Sequence, residues 1–499
     1  MTAGTRRWHH ASRDEPAVAA PPGDHAVASP ARRYLLVFVL ALAVRAAVGI
    51  VWLAKADDPT ALSLPDEQQY WQMAGSLWRG TGLVDELGFR ATRMPLYPAL
   101  LAPFTAVPYG AVAAKAVQWC VGAVAAVLAA ALAGAMFDRR VATWAGVLVA
   151  CDPFLAFCSS LVLTETLYSV SLLALFRLTW PIASAGMPPA EPTGGATGAP
   201  RRKPTGGMNR EASGASPLEP TGGASPGAER AAPRRVHRRR CQHDRGDADT
   251  WRRWLAACVA AVACVYLRES SVGLLFVLGM YVVWARGLRR RVVMRLGVAV
   301  VVVVAALMPW AVRNGRVTGD YCLLTHRAGI SLYDGVGPQA SGASDLGDIK
   351  HMPAVAGLSE TEWNRYFLDA SVRAIRSDPV RILRLVPIKL ARMWSPVPNA
   401  AEYRSRVIRF AAAAWTIPMF ALAVAAVMLW SKLGRGGAHH LVFLVLPAGY
   451  LTLLHGVFVG SVRYRLGAIP MLNILVAVVL VGMVHTRRAT ARRVALRDP

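Results

Sequence analysis

Residues 34–54 read YLLVFVLALAVRAAVGIVWLA, an apolar run whose single charge is Arg45. About 20 consecutive apolar residues in helical form cross the hydrocarbon core of a bilayer. Comparable blocks recur at Ala111 to Phe137 and at Leu466 to Val484. The run is followed by Ala54-Lys55-Ala56, which looks like a signal-peptidase site. It is longer than a signal-peptide core and stands behind a charged N-terminal stretch, so it reads as a retained first helix. Of the 499 residues, 54% are hydrophobic and only 17% charged, whereas soluble domains carry charge nearer a quarter of the chain. The fold expected is an all-α polytopic bundle of about ten transmembrane helices.

Charge sets the expected topology. Arg32 and Arg33 precede the first helix, Arg139 and Arg140 follow the second, and five arginines lie within Arg286 to Arg295. Lysine and arginine mark the cytoplasmic side, which makes the chain an integral protein of the inner (plasma) membrane with both termini cytoplasmic. The expected organisation is a disordered tail (1–33), then a transmembrane part (34–179) with a first external loop (56–110). A disordered cytoplasmic insertion (180–250) follows, with Pro-Thr-Gly-Gly copies at Pro192, Pro204 and Pro220 and an arginine run from Arg234 to Arg240. Such a composition buries too little apolar surface to fold. Helices five to seven (251–312), an external segment (313–404), three last helices (405–485) and a basic tail (486–499) complete the chain.

The net charge of +26 does not indicate nucleic acid, because the arginines sit beside apolar blocks or in the insertion. Seven cysteines show no metal-ligand spacing. Polar residues do gather at the external ends. They are Asp66-Glu67, Arg93 with Tyr97, Glu165 opening helix four, Arg268 between helices five and six, and Arg463 with Arg465 before helix ten. Taken singly, each has a plain reading as a helix-terminal acid, a solvated loop charge or a headgroup anchor. Arg45 is the least comfortable residue, since a charge at mid-span costs roughly 2.5–3.5 kcal/mol on insertion scales.

In order, these pieces resemble the membrane glycosyltransferases of the GT-C class, nearest to glycosyltransferase family 39. That family includes the protein O-mannosyltransferases and the lipid A aminoarabinose transferases. The residues that carry the resemblance begin with PDEQQYWQMAGSLWRGTG from Pro65 and Arg93-Met94-Pro95-Leu96-Tyr97-Pro98. Thr164-Glu165, Pro309-Trp310 with Arg313-Asn314, and Arg463-Tyr464-Arg465 follow. Met94 departs from the family's commoner proline. The resemblance covers roughly residues 34–178 and 254–484.

The resemblance implies a polyprenyl-phosphate sugar donor and a lipid, polysaccharide or protein acceptor at the membrane. It makes Asp66 the base, with Glu67 the nearest substitute. Arg463 and Arg465 would hold the leaving phosphate with Arg268 behind them, Glu165 would position the sugar or support the base, and Arg93 and Tyr97 would line the site. Two carboxylates leave room for a divalent metal, although no ligand set is spaced for one. The amphipathic stretch Val380 to Trp394 suits the membrane surface. The rival class is a transporter or flippase, which would show repeated halves and mid-membrane binding residues; no repeat is evident. A structural or assembly protein would need no converging acids and arginines.

Overall fold

The computed structural model describes residues 29–185, 232–399, 403, 405–433 and 436–495. The expected N-terminal tail as far as residue 28 and the Pro-Thr-Gly-Gly copies lie outside the described residues. Among those described, all regular structure is helical. The first half holds α1 (Pro30–Ala54), α2 (Pro65–Trp78), α3 (Leu96–Leu101), α4 (Gly110–Met136), α5 (Arg139–Cys151), α6 (Pro153–Cys158) and α7 (Glu165–Ala183). Then come α8 (Ala232–Leu267), α9 (Ser271–Arg286) and α10 (Arg290–Thr318). The segment after α10 folds into α11 (Ala328–Val336), α12 (Leu346–Lys350), α13 (Glu360–Ser377) and α14 (Pro379–Met393). The chain closes with α15 (Arg406–Met428), α16 (Trp430–Leu433), α17 (Ala438–Val457) and α18 (Ile469–Ala495).

Among the described residues six helices, α1, α4, α7, α10, α15 and α17, are long and apolar enough to cross a membrane; α9 and the apolar part of α18 are shorter. Many of their large apolar side chains face outward, including Leu35, Leu36, Ile50 and Val51 on α1 and Val300 and Val301 on α10. So much outward apolar surface needs an apolar solvent, and helices satisfy their backbone internally there. Within the bundle, α4 packs on α1, α5 and α7 through buried alanines such as Ala123, Ala126, Ala129 and Ala133. Small residues let helix backbones approach closely. Ile474 to Val479 of α18 are buried, and this helix packs on α5, α15 and α17.

The apolar stretch from Val141 to Phe157 is not one continuous helix. α5 stops at Cys151, and Asp152 caps α6 by accepting from the Phe154 and Leu155 amides at 3.1 and 3.0 Å. Pro153 at the first helical position favours that restart. The break explains Arg45. Its guanidinium is 1% exposed and donates to the carbonyls of Ala150 and Val149 at 3.2 and 3.3 Å, and to Ala41 at 3.1 Å. The last carbonyls of a helix have no partner within it, so the arginine at mid-span satisfies the end of a helix that stops inside the bundle.

Three boundaries differ from expectation. α8 begins at Ala232, so residues 232–250, assigned to the disordered insertion, are helical. α10 passes through Pro309 and runs on to Thr318, beyond the expected boundary at residue 312. α18 continues to Ala495, so most of the expected basic tail belongs to the last helix.

Candidate functional site

One end of the bundle collects α2, the loop after it, the α6–α7 and α8–α9 turns, the 319–399 segment and the 459–468 turn. Each is held by identifiable bonds. Glu360 on α13 accepts from the Arg90 and Ala91 amides, both at 2.8 Å, and the His326 amide donates to the Ala91 carbonyl at 3.0 Å. These bonds tie the first loop to the later segment. An apolar cluster of Ile330, Val355, Trp363 and Phe367 keeps α11 and α13 together.

The site is an ion-pair network with Arg463 at its centre. Arg463 donates to Asp66 at 3.0 Å and to Glu165 at 2.8 Å. Arg93 pairs with the other oxygen of Asp66, and Arg268 pairs with Glu165 at 3.0 Å. Asp66 sits in the first turn of α2 and Glu165 in the first turn of α7, where the helix dipole favours an acid. Aromatic rings wall the cluster. The Arg93 guanidinium lies 4.8 Å from the Tyr70 ring centroid, and Arg268 lies 5.2 Å from Tyr168 and 5.8 Å from Tyr464. Cation–π attraction holds at such distances.

Burial alone would raise the Asp66 carboxyl, but the charges of Arg93, Arg463 and Arg327 outweigh it and hold the group well below the usual carboxylate range. Asp66 is therefore a fixed anion. Burial likewise opposes the charge on Arg463, and Glu165 and Asp66 more than compensate.

The structure brings Asp66, Arg93, Glu165, Arg268 and Arg463 together, and places the other three candidates elsewhere. Tyr97 lies one layer behind, its ring 5.0 Å from that of Tyr70 and its hydroxyl donating to Gln118 at 3.2 Å. Glu67 is 1% exposed and accepts from the Val162 amide at 2.7 Å and the Leu64 amide at 3.1 Å. One oxygen ties α2 to the α6–α7 turn and the other closes the N-terminus of α2 itself, so both are engaged in holding the helix in place. Arg465, 1% exposed, turns away from Asp66. It donates to the Met393 carbonyl at 3.0 Å and to the Ser395 carbonyl, and lies between the Phe154 and Phe420 rings. It lines a separate cavity with Asp152, Thr416 and Asn473. The structure thus commits Arg465 to main-chain carbonyls at the end of α14, away from the Arg463 cluster.

Two participants were missed by sequence reasoning. Gln69 accepts from Arg93 at 2.8 Å and from Arg327 at 3.4 Å, and donates to Asp85 at 3.2 Å. Arg327, just before α11, arrives from the distant 319–399 segment, and nothing in its local sequence marks it. Gln69 carried a signal, since the side chain three residues beyond Asp66 shares its helix face. The surroundings of Asp66 and Glu165 do not suit a divalent cation, because guanidinium groups already occupy them. Among the described residues no group of three or more His, Cys, Asp or Glu could hold a metal ion.

No protein-family model and no curated protein matches the chain. Solved structures with similar helical arrangement include the archaeal oligosaccharyltransferase AglB from Archaeoglobus fulgidus, in complex with an inhibitory peptide and a dolichol-phosphate. It is 11% identical with a TM-score of 0.49, over 92% of this chain and 52% of that one. The chain thus spans about half the length of that oligosaccharyltransferase. ArnT from Cupriavidus metallidurans bound to undecaprenyl phosphate is 12% identical with a TM-score of 0.37, over 89% of this chain and 77% of that one. ArnT in the apo state is 13% identical with a TM-score of 0.35, over 90% and 77%. Likeness at this level is too low to carry an activity from one chain to another.

Proposed function

We propose that the chain is a membrane glycosyltransferase, moving a sugar from a polyprenyl-phosphate donor to an acceptor hydroxyl at the external face of the membrane. The observation that supports this reading is the double bridge of Arg463 to Asp66 and Glu165, assembled from three distant segments at one end of the bundle. Arginine pairs with phosphate as well as with carboxylate, through charge-assisted hydrogen bonds. A lipid-anchored donor would keep its phosphate at that end and its tail in the bilayer. The exposed Val380, Leu383 and Ile388 of α14 offer an apolar surface beside it.

The chemistry needs one proton acceptor and one stabiliser of the leaving group. The acceptor oxygen bonds to the anomeric carbon as the bond from that carbon to the phosphate oxygen breaks. The electron pair stays on the polyprenyl phosphate, and the acceptor's proton passes to Asp66. Preorganised arginines stabilise the developing charge. A carboxylate bound to two guanidiniums is a weak base. A donor phosphate gives Arg93 and Arg463 a second anion to hold, which loosens their grip on Asp66 and raises its basicity at the time of transfer. Glu165 and Arg268 keep Arg463 in place during that exchange.

The test is transfer of labelled sugar from membrane polyprenyl-phosphate donors by wild type and Asp66→Asn. A fall of orders of magnitude at equal expression is expected. Equal behaviour across several donor sugars would overturn both the reading and the role of Asp66, and transport of a lipid-linked substrate would be measured next.

A further inference from the structure

Glu165 uses one oxygen for Arg463 and Arg268. Among the described residues its other oxygen, Oε2, is buried with no hydrogen-bond partner, and so is Nε of Arg45. Both residues are almost fully buried, at 2% and 1% exposure. Both line one cavity of ≈ 10 Å³, bounded also by Gly122, Thr166 and Ser169. That is about the space one water needs, and a buried water needs two to four polar partners. An unpaired acceptor and an unpaired donor on the same small cavity meet both conditions. Leaving either group dry would cost more than leaving a neutral one, because both are charged.

We propose that this cavity is a built site for a single water, and that Arg45 positions Glu165 through it. The water accepts from Arg45 Nε–H and donates to Glu165 Oε2. Its second hydrogen goes to the Ser169 hydroxyl oxygen, whose own proton is already given to the Glu165 carbonyl at 2.8 Å. The guanidinium that closes the end of α5 thereby also fixes the rotation of the Glu165 carboxylate, and so the direction of its bonds to Arg463 and Arg268. Gly122 permits the arrangement. A Cβ at that position would lie 2.5 Å from Arg45 Nε and 3.0 Å from its Cδ, so any side chain there must displace the guanidinium. The inference does not depend on which substrate the site handles.

The test is a water-resolving cryo-electron microscopy map of the full-length wild type, followed by thermal unfolding of Gly122→Ala, Glu165→Gln and the double variant. Expected is one density peak within hydrogen-bond distance of both Arg45 Nε and Glu165 Oε2. The double variant's fall in Tm should be clearly less than the sum of the single falls, because each change removes the same bridge. A purely structural arginine, closing α5 and nothing more, gives additive falls. An empty cavity in a map that shows other buried waters, or additive falls, overturns the proposal. Where Gly122→Ala does not fold, Arg45→Lys takes its place. It keeps a charge for the α5 carbonyls but has no nitrogen at the Nε position, and the same criteria apply.

Discussion

Arg463 and Arg465 stand two residues apart in one turn and do opposite work. Arg463 meets two carboxylates, and its side chain is 24% exposed. Arg465 is sealed at 1% exposure and is used on the main-chain carbonyls of Met393 and Ser395 and on two aromatic faces. Burial, eased by Asp152, pulls its guanidinium down to about 10, whereas the two acids hold Arg463 firmly charged. The difference is one of exchangeability. A cation paired with carboxylates near water can trade them for an incoming phosphate, while a buried cation closing a helix end cannot leave without orphaning carbonyls.

The comparison can be broken by substitution. Arg463→Ala should show the largest effect, a loss of about 10²–10³-fold in sugar transfer, as removal of one preorganised donor does elsewhere. Its Tm should stay within a few degrees of wild type, measured in the same membrane preparation. Arg465→Ala should reverse the pattern. We expect a stability loss of about 3 kcal/mol from stranded carbonyls and an uncompensated Asp152, read as a lower Tm and lower yield. Transfer per folded molecule should remain within a few-fold of wild type.

Glu67 and Asp66 sharpen the same contrast within one helix turn. Glu67→Gln keeps one acceptor of two, so a loss of about 1–2 kcal/mol is expected by thermal unfolding, with transfer per folded molecule far less affected than in Asp66→Asn. The smallest effect concerns Lys389 on α14. It donates to the Gly456 and Val457 carbonyls at the end of α17. Burial, with help from Arg381 and against Asp334, lowers its ammonium to about 8. The unfolded value is about 10.4, so between those pH values the unfolded chain binds a proton that the folded chain has shed. Stability should therefore rise from pH 8 to pH 10, and Lys389→Met should flatten that slope in a Tm series.

The membrane fold was legible because hydropathy reports the solvent each helix faces, and residues 34–54 needed nothing else. The break at Asp152 was not, because α5 and α6 together form one apolar stretch and Pro153 is tolerated in a helix's first turn. Arg45 hinted at it, since a charge at mid-span has to answer something polar. Asp66, Arg93, Glu165, Arg268 and Arg463 could be listed from sequence, but the bonds among them depend on tertiary packing. Glu67 and Arg465 look equivalent to their neighbours in the chain. The direction of each side chain separates them, and local sequence does not encode that direction. Arg327 had no local mark at all.

The most direct measurement is the binding of undecaprenyl phosphate to purified full-length wild type, Arg463→Ala and Arg465→Ala, each checked for folding. Wild type and Arg465→Ala should bind alike, while Arg463→Ala should weaken by about tenfold or more, the scale of one charge-assisted hydrogen-bond pair. Equal binding by wild type and Arg463→Ala, or an equal loss in both variants, would contradict the assignment of the Arg463 cluster as the phosphate site.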